Sequence, residues 1–307
     1  MILGCGDIGQ RLALQAALAN WRIIGVRRNA PAITGLLAAH QDFSYRQADL
    51  TQVNQLQEIL PEQLDYLVVT MTPSERTEAG YQTAYVKTAQ VLQQALKQRN
   101  LAPKRILFIS STSVYGQSDG EAVNEQSPAQ PHSYAGKTLL EAEAVYQHSP
   151  HPSCVVRFSG IYGPGRFRLI EQALATQPAN VTGSPQYSNR LHIEDCAAIL
   201  QHLLIQCEQG SELEPLYIGT DSEPSDLSAV RHWLREQAEK QLSSLPTLVE
   251  PTPSARKTGD YARSSKRLSN ERLLSSGYRF IYPSYHQGYQ PVLDEYIDQH
   301  CPEGKLL

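Results

Sequence analysis

The chain has 307 residues, 41% of them hydrophobic, and a formal net charge of −4. That is enough to bury one large core plus a smaller lobe. The basic residues are dispersed, which excludes an electrostatic footprint for nucleic acid or an anionic membrane. No apolar run approaches the roughly 18 residues needed to cross a bilayer. Five cysteines, Cys5, Cys154, Cys196, Cys207 and Cys301, are odd in number and lack C-x-x-C spacing. They fit free thiols in a reducing cytoplasm, not a disulfide framework or a zinc site. No charged-then-apolar leader opens the recorded chain, so a cytoplasmic location is expected. None of the nine histidines pairs with Cys or Asp at ligand spacing, so no metal is expected.

The first predicted element is a short strand, Met1 to Leu3, running into G-x-G-x-x-G at Gly4, Gly6 and Gly9. Because only three residues precede Gly4, either this strand is short or the recorded start lies inside the true one. A strand must turn sharply at Gly4, and its backbone must come close to a pyrophosphate at Gly6. Gly9 lets the next helix pack on the sheet with its N-terminal N–H groups, at Asp7 and Ile8, aimed at the phosphates. Ile8, Leu12 and Ala16 share one helical face, and Asn20 is a stop signal. The pattern points to a dinucleotide cofactor; a tight turn without a ligand is the competing reading.

A second strand, Trp21 to Val26, follows at βαβ spacing and ends in Arg27-Arg28-Asn29. An NAD-selective unit usually places a carboxylate here to hold the ribose 2′-hydroxyl, and this chain has none. Two guanidiniums suit the extra 2′-phosphate of NADP, so NADP is expected in preference to NAD. A solvated basic loop is the bland alternative. Residues Arg46 to Leu50 read as a third short strand ending at Asp49, with Asp49 and Leu50 beside the adenine or Asp49 merely capping a helix. Leu64 to Met71 suits a buried central strand, and Tyr81 to Gln98 carries helical periodicity through Tyr85, Thr88, Val91, Leu92 and Ala95. Ile106 to Ile109 is the next buried strand. Alternating strands and helices predict a parallel sheet covered on both faces.

That strand empties into Ser110-Ser111-Thr112-Ser113-Val114-Tyr115-Gly116. This stretch resembles the corresponding segment of the extended short-chain dehydrogenase/reductases, the NAD(P)-dependent epimerase/dehydratase family. Arg157 to Gly165, ending Tyr162-Gly163-Pro164-Gly165, is similar to a later family motif. So are Asn189 to Asp195, containing His192-Ile193-Glu194-Asp195, and the tail from Lys266 to Tyr285. The resemblance implies an α/β, Rossmann-type doubly wound parallel sheet with a small C-terminal substrate lobe. Its expected divisions are 1–160 for the dinucleotide-binding domain, joined by 188–222, and 161–187 with 223–307 for the lobe.

By that resemblance Ser111 hydrogen-bonds the reacting oxygen, with Thr112 as a neighbouring substrate contact; a capping and turn cluster is the other reading. The family also uses Tyr and Lys at Y-x-x-x-K spacing, where Lys holds the nicotinamide ribose and lowers the Tyr pKa for acid–base work. This chain reads Ser133-Tyr134-Ala135-Gly136-Lys137, which is Y-x-x-K. Aligning Lys137 by Glu141 puts Ser133, too weak an acid, at the Tyr position. Offsets of three and four nonetheless share one helix face, and Tyr134 sits at the expected helix start. Tyr134 therefore either recovers the proton-transfer role or only packs.

Two further departures are Gly160, where many nucleotide-sugar members carry Asn, and Arg190, two residues before His192 instead of four. Arg190 serves an anionic substrate or is a surface residue paired with Glu194 or Asp195. His192 reads as structural, and Asp195 as the start of a helix over Cys196 to Leu204. Arg166 and Arg168 are candidate anion contacts in a variable lobe built from Gly165 to Tyr187 and Ser243 to Ser265. The polar segment Gln117 to Ser133 is longer than a passive loop, and reads as a cover over the substrate or as disorder. The expected function is NADP-dependent hydride chemistry on a carbinol or carbonyl carbon of a small molecule, in the sugar or nucleotide-sugar range. The other expectation is an NADP-binding sensor that has lost turnover. A homodimer is among the possible assemblies.

Overall fold

The computed structural model describes residues 1–18, 21–29, 31–33, 35–175, 185–242 and 265–301; Asn20 and most of the Ser243 to Ser265 segment lie outside them. Seven parallel strands form the central sheet: β1 (Ile2–Leu3), β2 (Ile23–Arg27), β3 (Phe43–Gln47), β4 (Tyr66–Val69), β5 (Arg105–Ser111), β6 (Ser153–Phe158) and β7 (Leu216–Gly219). Their spatial order is 3-2-1-4-5-6-7, with β1 between Gly25 of β2 and Val68 of β4 at Ile2. The order reverses between β1 and β4. The mouth of the sheet at that switch is where open α/β folds place ligands.

Alternation along these strands builds two cores. Leu3, Val26, Leu67, Val69, Ile106, Phe108 and Val155 face one side. They meet Leu56 of α2 (Val53–Ile59), Leu92 and Leu96 of α4 (Thr88–Gln98), and Leu139 and Tyr146 of α5 (Tyr134–Gln147). Ile2, Ile23, Val68, Leu107, Cys154 and Val156 face the other side. There they meet Leu12 and Ala16 of α1 (Asp7–Leu18) and Leu200 and Leu203 of α7 (Ile193–Glu208). Both faces being covered explains why the strands read as near-continuous apolar runs. Each buried Leu, Ile, Val or Phe stabilises the sheet by about 1.5–3 kcal/mol.

The third core is the lobe, where α6 (Arg168–Ala175), α8 (Leu227–Gln241) and α10 (Tyr285–His300) pack through Ile170, Leu174, Leu234, Leu293 and Ile297. The stretch 265–280, expected with the lobe, packs elsewhere. Leu268 joins the first core, while Leu273 of α9 (Glu271–Ser275) and Tyr278 join the second.

Several boundaries differ from expectation for local reasons. β3 ends at Gln47, leaving Ala48, Asp49 and Leu50 outside the strand. The helix expected from Tyr81 begins earlier, as α3 (Glu78–Tyr81), and passes through a π-helical turn, Gln82–Lys87, into α4. α7 begins at Ile193, capped by the His192 ring, whose Nδ1 accepts from Glu194 N–H at 3.3 Å. Asp195 is thus inside the first turn, not at its start. It is fully buried and accepts from Tyr278 Oη (2.6 Å) and from the amides of Ile281 (2.8 Å) and Tyr282 (3.0 Å), fastening the C-terminal segment to α7.

The segment Gln117 to Ser133 is neither disordered nor detached. Its Glu121–Val123 strand pairs in parallel with Lys266–Leu268, Val123 is buried in the first core, and Glu125 Oε1 accepts from the Ile218 amide at the sheet edge (3.0 Å).

Candidate functional site

The glycine turn is held from both sides. Gly4 and Cys5 amides donate to Val26 O (3.1 and 3.0 Å), and Thr70 Oγ1 donates to Gly4 O (2.8 Å). Gly4 has φ +76°, and a Cβ there would come within 3.0 Å of the Thr70 carbonyl oxygen, so glycine is required by both backbone and neighbours. Gly6 differs: a Cβ there would meet nothing in the protein closer than 3.7 Å. That side of the turn is therefore open. The first-turn amides of α1, at Asp7, Ile8 and Gly9, have by helix geometry no intrahelical acceptor and open on the same side.

Beside this turn lies a cavity of about 390 Å³. Gly4 and Gly6 form one wall, Arg27, Arg28 and Asn29 the end of β2, Ala48, Asp49 and Leu50 the end of β3, and Thr70, Met71, Thr83 and Ala84 the remaining side. Asp49 accepts from Thr51 N (2.9 Å) and Thr51 Oγ1 (2.8 Å), which fixes the turn leaving β3. Arg28 is exposed and Arg27 half-buried, and neither makes a hydrogen bond or ion pair among the described residues. A glycine cradle, a helix N-terminus and two arginines in the lining fit an adenine dinucleotide.

Cys5, within the glycine turn, is fully buried, and burial pushes its thiol up to about 11 despite the Tyr45 hydroxyl beside it. It is a packing residue rather than a reactive thiolate at neutral pH. No group of three His, Cys, Asp or Glu capable of holding a metal occurs among the described residues.

The chemical end is built by β5 and α5. Ser111 Oγ accepts from Ser113 N–H (3.2 Å), capping the short turn Thr112–Val114. An accepting hydroxyl still carries its own proton to donate. Thr112 is buried. α5 docks on this turn through Gly136, where a Cβ would fall 2.7 Å from Ser113 O and against Pro131. Ser133 Oγ accepts from Gly136 N–H (3.1 Å) as the N-cap of α5, so it is committed to starting the helix. Tyr134 is the first helical residue. Its Oη donates to the main-chain oxygen of Arg76 (2.6 Å), and its ring stands edge-on to Tyr81 at 5.5 Å. Lys137, one turn on, is exposed.

Beneath the hydroxyl turn is a charged network that pattern reading missed. Glu143, buried on α5, accepts from Ser110 Oγ (2.5 Å) and receives a bidentate bond from Arg157 of β6 (Nε 3.0 Å, Nη2 2.6 Å). The Arg157 guanidinium also lies over the Tyr115 ring at 4.9 Å. An arginine inside the apolar run Cys154-Val155-Val156-Arg157-Phe158 was the available signal, since a buried guanidinium requires a partner. Lys266, also buried, donates to Tyr115 O (2.6 Å), and burial lowers its ammonium to about 8.

Arg190 is not at the surface, nor paired with Glu194 or Asp195. It is 4% exposed, donates to Ser188 Oγ (2.5 Å) and lies over the Tyr285 ring at 5.6 Å. Its charge opposes buried Asp221, whose carboxyl is nonetheless pushed up to about 7 by desolvation. Tyr162, stacked on Tyr289 at 4.2 Å, and His192 complete this buried polar cluster, and burial lowers the His192 imidazole to about 4. Arg166, an expected anion contact, pairs with Asp7 (Nη2 to Oδ2, 2.8 Å). Arg168, the other expected anion contact, is the exposed first residue of α6.

The sheet order, the glycine cradle and the hydroxyl turn define a Rossmann-type dinucleotide-binding protein of the short-chain dehydrogenase/reductase kind. Comparison with known proteins makes this specific. Residues 1–219 match the NAD dependent epimerase/dehydratase family, and the chain belongs to it. Protein YeeZ of Escherichia coli (strain K12) is 26% identical over 287 residues, covering 92% of this chain and 95% of that protein. A solved structure from Methylobacillus flagellatus, described as an NAD-dependent epimerase/dehydratase, is 32% identical with a TM-score of 0.73, covering 96% and 97% of the two chains. A UDP-glucose 4-epimerase structure superposes with a TM-score of 0.75 at 16% identity over 100% and 99%, a likeness of fold.

Proposed function

We propose that this chain is an NADP(H)-dependent oxidoreductase or epimerase acting on a carbinol or carbonyl carbon of a small molecule, in the sugar or nucleotide-sugar range. The observation that carries the reading is the 390 Å³ cavity, lined by the glycine turn and by Arg27 and Arg28, which have no ion-pair partner among the described residues. Gly4, Gly6, Asp7, Ile8 and Gly9 cradle the pyrophosphate. Asp49 and Leu50 flank the adenine, and the two arginines hold the 2′-phosphate. When bound, the nicotinamide supplies the hydride chemistry. Ser111 orients the substrate oxygen, with Thr112 beside it, Tyr134 exchanges the proton, and Lys137 holds the nicotinamide ribose and a positive charge near Tyr134. Arg190, bonded to Ser188 and lying over the Tyr285 ring, is a buried cation beside the substrate lobe.

One observation favours a second reading, an NADP-binding sensor without turnover. The Tyr134 phenol is spent on the Arg76 carbonyl and Ser133 on a helix cap. The deciding experiment loads the protein with NADPH and follows its absorbance through a panel of aldehydes, ketones and oxidised nucleotide sugars. Oxidation of bound NADPH by any of them supports the enzyme. Retained NADPH across the panel supports the sensor.

A further inference from the structure

Asp7 sits at the worst place for a carboxylate in a diphosphate cradle. It is the first residue of α1, where a negative side chain favours the bare helix but repels an arriving pyrophosphate. The structure answers this charge twice. Arg11, one turn along the same helix, reaches Asp7 Oδ1 through Nε at 2.8 Å, and Arg166 reaches Oδ2 through Nη2 at 2.8 Å. The two cations are not equivalent. Arg11 also contacts Glu194 at the start of α7, so it is shared between two carboxylates. Arg166 touches only Asp7 among the described ion pairs, its side chain is 38% exposed, and it uses one of the five N–H donors a guanidinium carries.

Arg166 also arrives on a turn suited to delivering it. Its amide bonds to Gly163 O (3.0 Å), Gly163 and Gly165 have φ of +142° and +72°, and a Cβ at Gly165 would meet nothing within 4 Å. The turn after the short Gly160–Tyr162 strand therefore hands a guanidinium with donors to spare to the N-terminus of α1.

We infer that Arg166 is a contact for the diphosphate of the dinucleotide, with Asp7 as its positioning residue, rather than a contact for a substrate anion. The inference rests on the dinucleotide reading above. Asp7 anchors the guanidinium beside the N-terminus of α1, and its remaining N–H donors are available to the phosphate oxygens that the first-turn amides bind. Diphosphate chemistry has two possible sources here, the cofactor and a nucleotide sugar, and the test separates them.

The experiment is calorimetric titration of the wild type, Arg166→Ala and Arg166→Lys with NADPH, ADP-ribose, adenosine 2′-monophosphate and UDP. Loss of a charge-assisted contact should weaken NADPH and ADP-ribose by about 10- to 100-fold in Arg166→Ala, with partial recovery in Arg166→Lys. Adenosine 2′-monophosphate, which has no diphosphate, should be unchanged within about twofold. Unchanged ADP-ribose affinity in Arg166→Ala, or a loss confined to UDP, overturns the inference while leaving the cofactor reading intact. A wild type that binds neither NADPH nor adenosine 2′-monophosphate overturns both. Melting temperatures confirm folding of both variants, and equal weakening of all four ligands would mark a structural role and also overturn it.

Discussion

The two ends of the cleft are built from different materials. The adenosine end is made mostly of main chain: a glycine turn, helix amides and the ends of β2 and β3, with two arginines added at the rim. The proposed nicotinamide end is made of side chains, and three of its hydroxyls already have partners. Ser111 caps a turn, Ser133 caps α5, and Tyr134 bonds to Arg76 O. A site built largely from backbone tolerates drift in most of its side chains. A site defined by hydroxyls depends on their register along the helix, and here Tyr134 and Lys137 stand at Y-x-x-K spacing. In the proposed site, cofactor binding and turnover therefore rest on different residues.

The largest effect that would break this contrast is at Tyr134. If it transfers the proton, Tyr134→Phe should lower kcat by about 10²- to 10⁴-fold with little change in NADPH affinity. Any substrate found in the NADPH screen serves as the assay, and turnover that survives the change would remove Tyr134 from the chemistry.

Glu143 comes next, since it supports the hydroxyl turn from below. Glu143→Ala leaves Arg157 buried without its partner and should cost about 3–5 kcal/mol in urea unfolding. The adenosine end lies on other strands. Binding of adenosine 2′-monophosphate to the folded fraction should therefore persist; its loss in parallel would mean the two ends are one cooperative unit.

The smallest effect concerns the buried cluster below the lobe. The Asp221 carboxyl is raised from 3.8 to about 7 by desolvation. Between those values the folded chain keeps a proton that the unfolded chain has released, so this contribution to stability is present below about pH 4 and lost as pH rises through 7. His192, lowered to about 4, works oppositely, its contribution lost as pH falls below 6.5. The difference between Asp221→Asn and wild type cancels the histidine. Relative to wild type, the variant should gain at most about 1.4 kcal/mol per pH unit from about pH 5 to pH 7. A difference that stays flat with pH would place Asp221 ionised in the fold.

Much of the fold was legible because it depends on periodicity. Leu64 to Met71 and Ile106 to Ile109 read as buried strands, and both sit in the middle of the sheet with both faces covered. Leu12 and Ala16 were on the buried face of α1 as expected. What was not legible depends on partners distant in sequence. The segment Gln117 to Ser133 looks polar and loose until Lys266–Leu268 pairs with it about 145 residues later. Asp195 reads as a helix cap until Tyr278, Ile281 and Tyr282 claim its carboxylate. Arg190 looks like a surface cation until Asp221 and the Tyr285 ring enclose it. The π turn at Gln82–Lys87, which puts Thr83 and Ala84 on the cavity wall, leaves no mark in a 3.6-residue pattern.

We propose that Arg27 and Arg28, in the cavity lining, select the 2′-phosphate. This is tested most directly by titrating the wild type and an Arg27→Ala/Arg28→Ala variant with NADPH and NADH in a calorimeter. The account predicts that the wild type prefers NADPH by at least about 10-fold and that the variant loses the preference by weakening NADPH alone. Equal affinity of the wild type for both nucleotides, or a variant that keeps the preference, would contradict it.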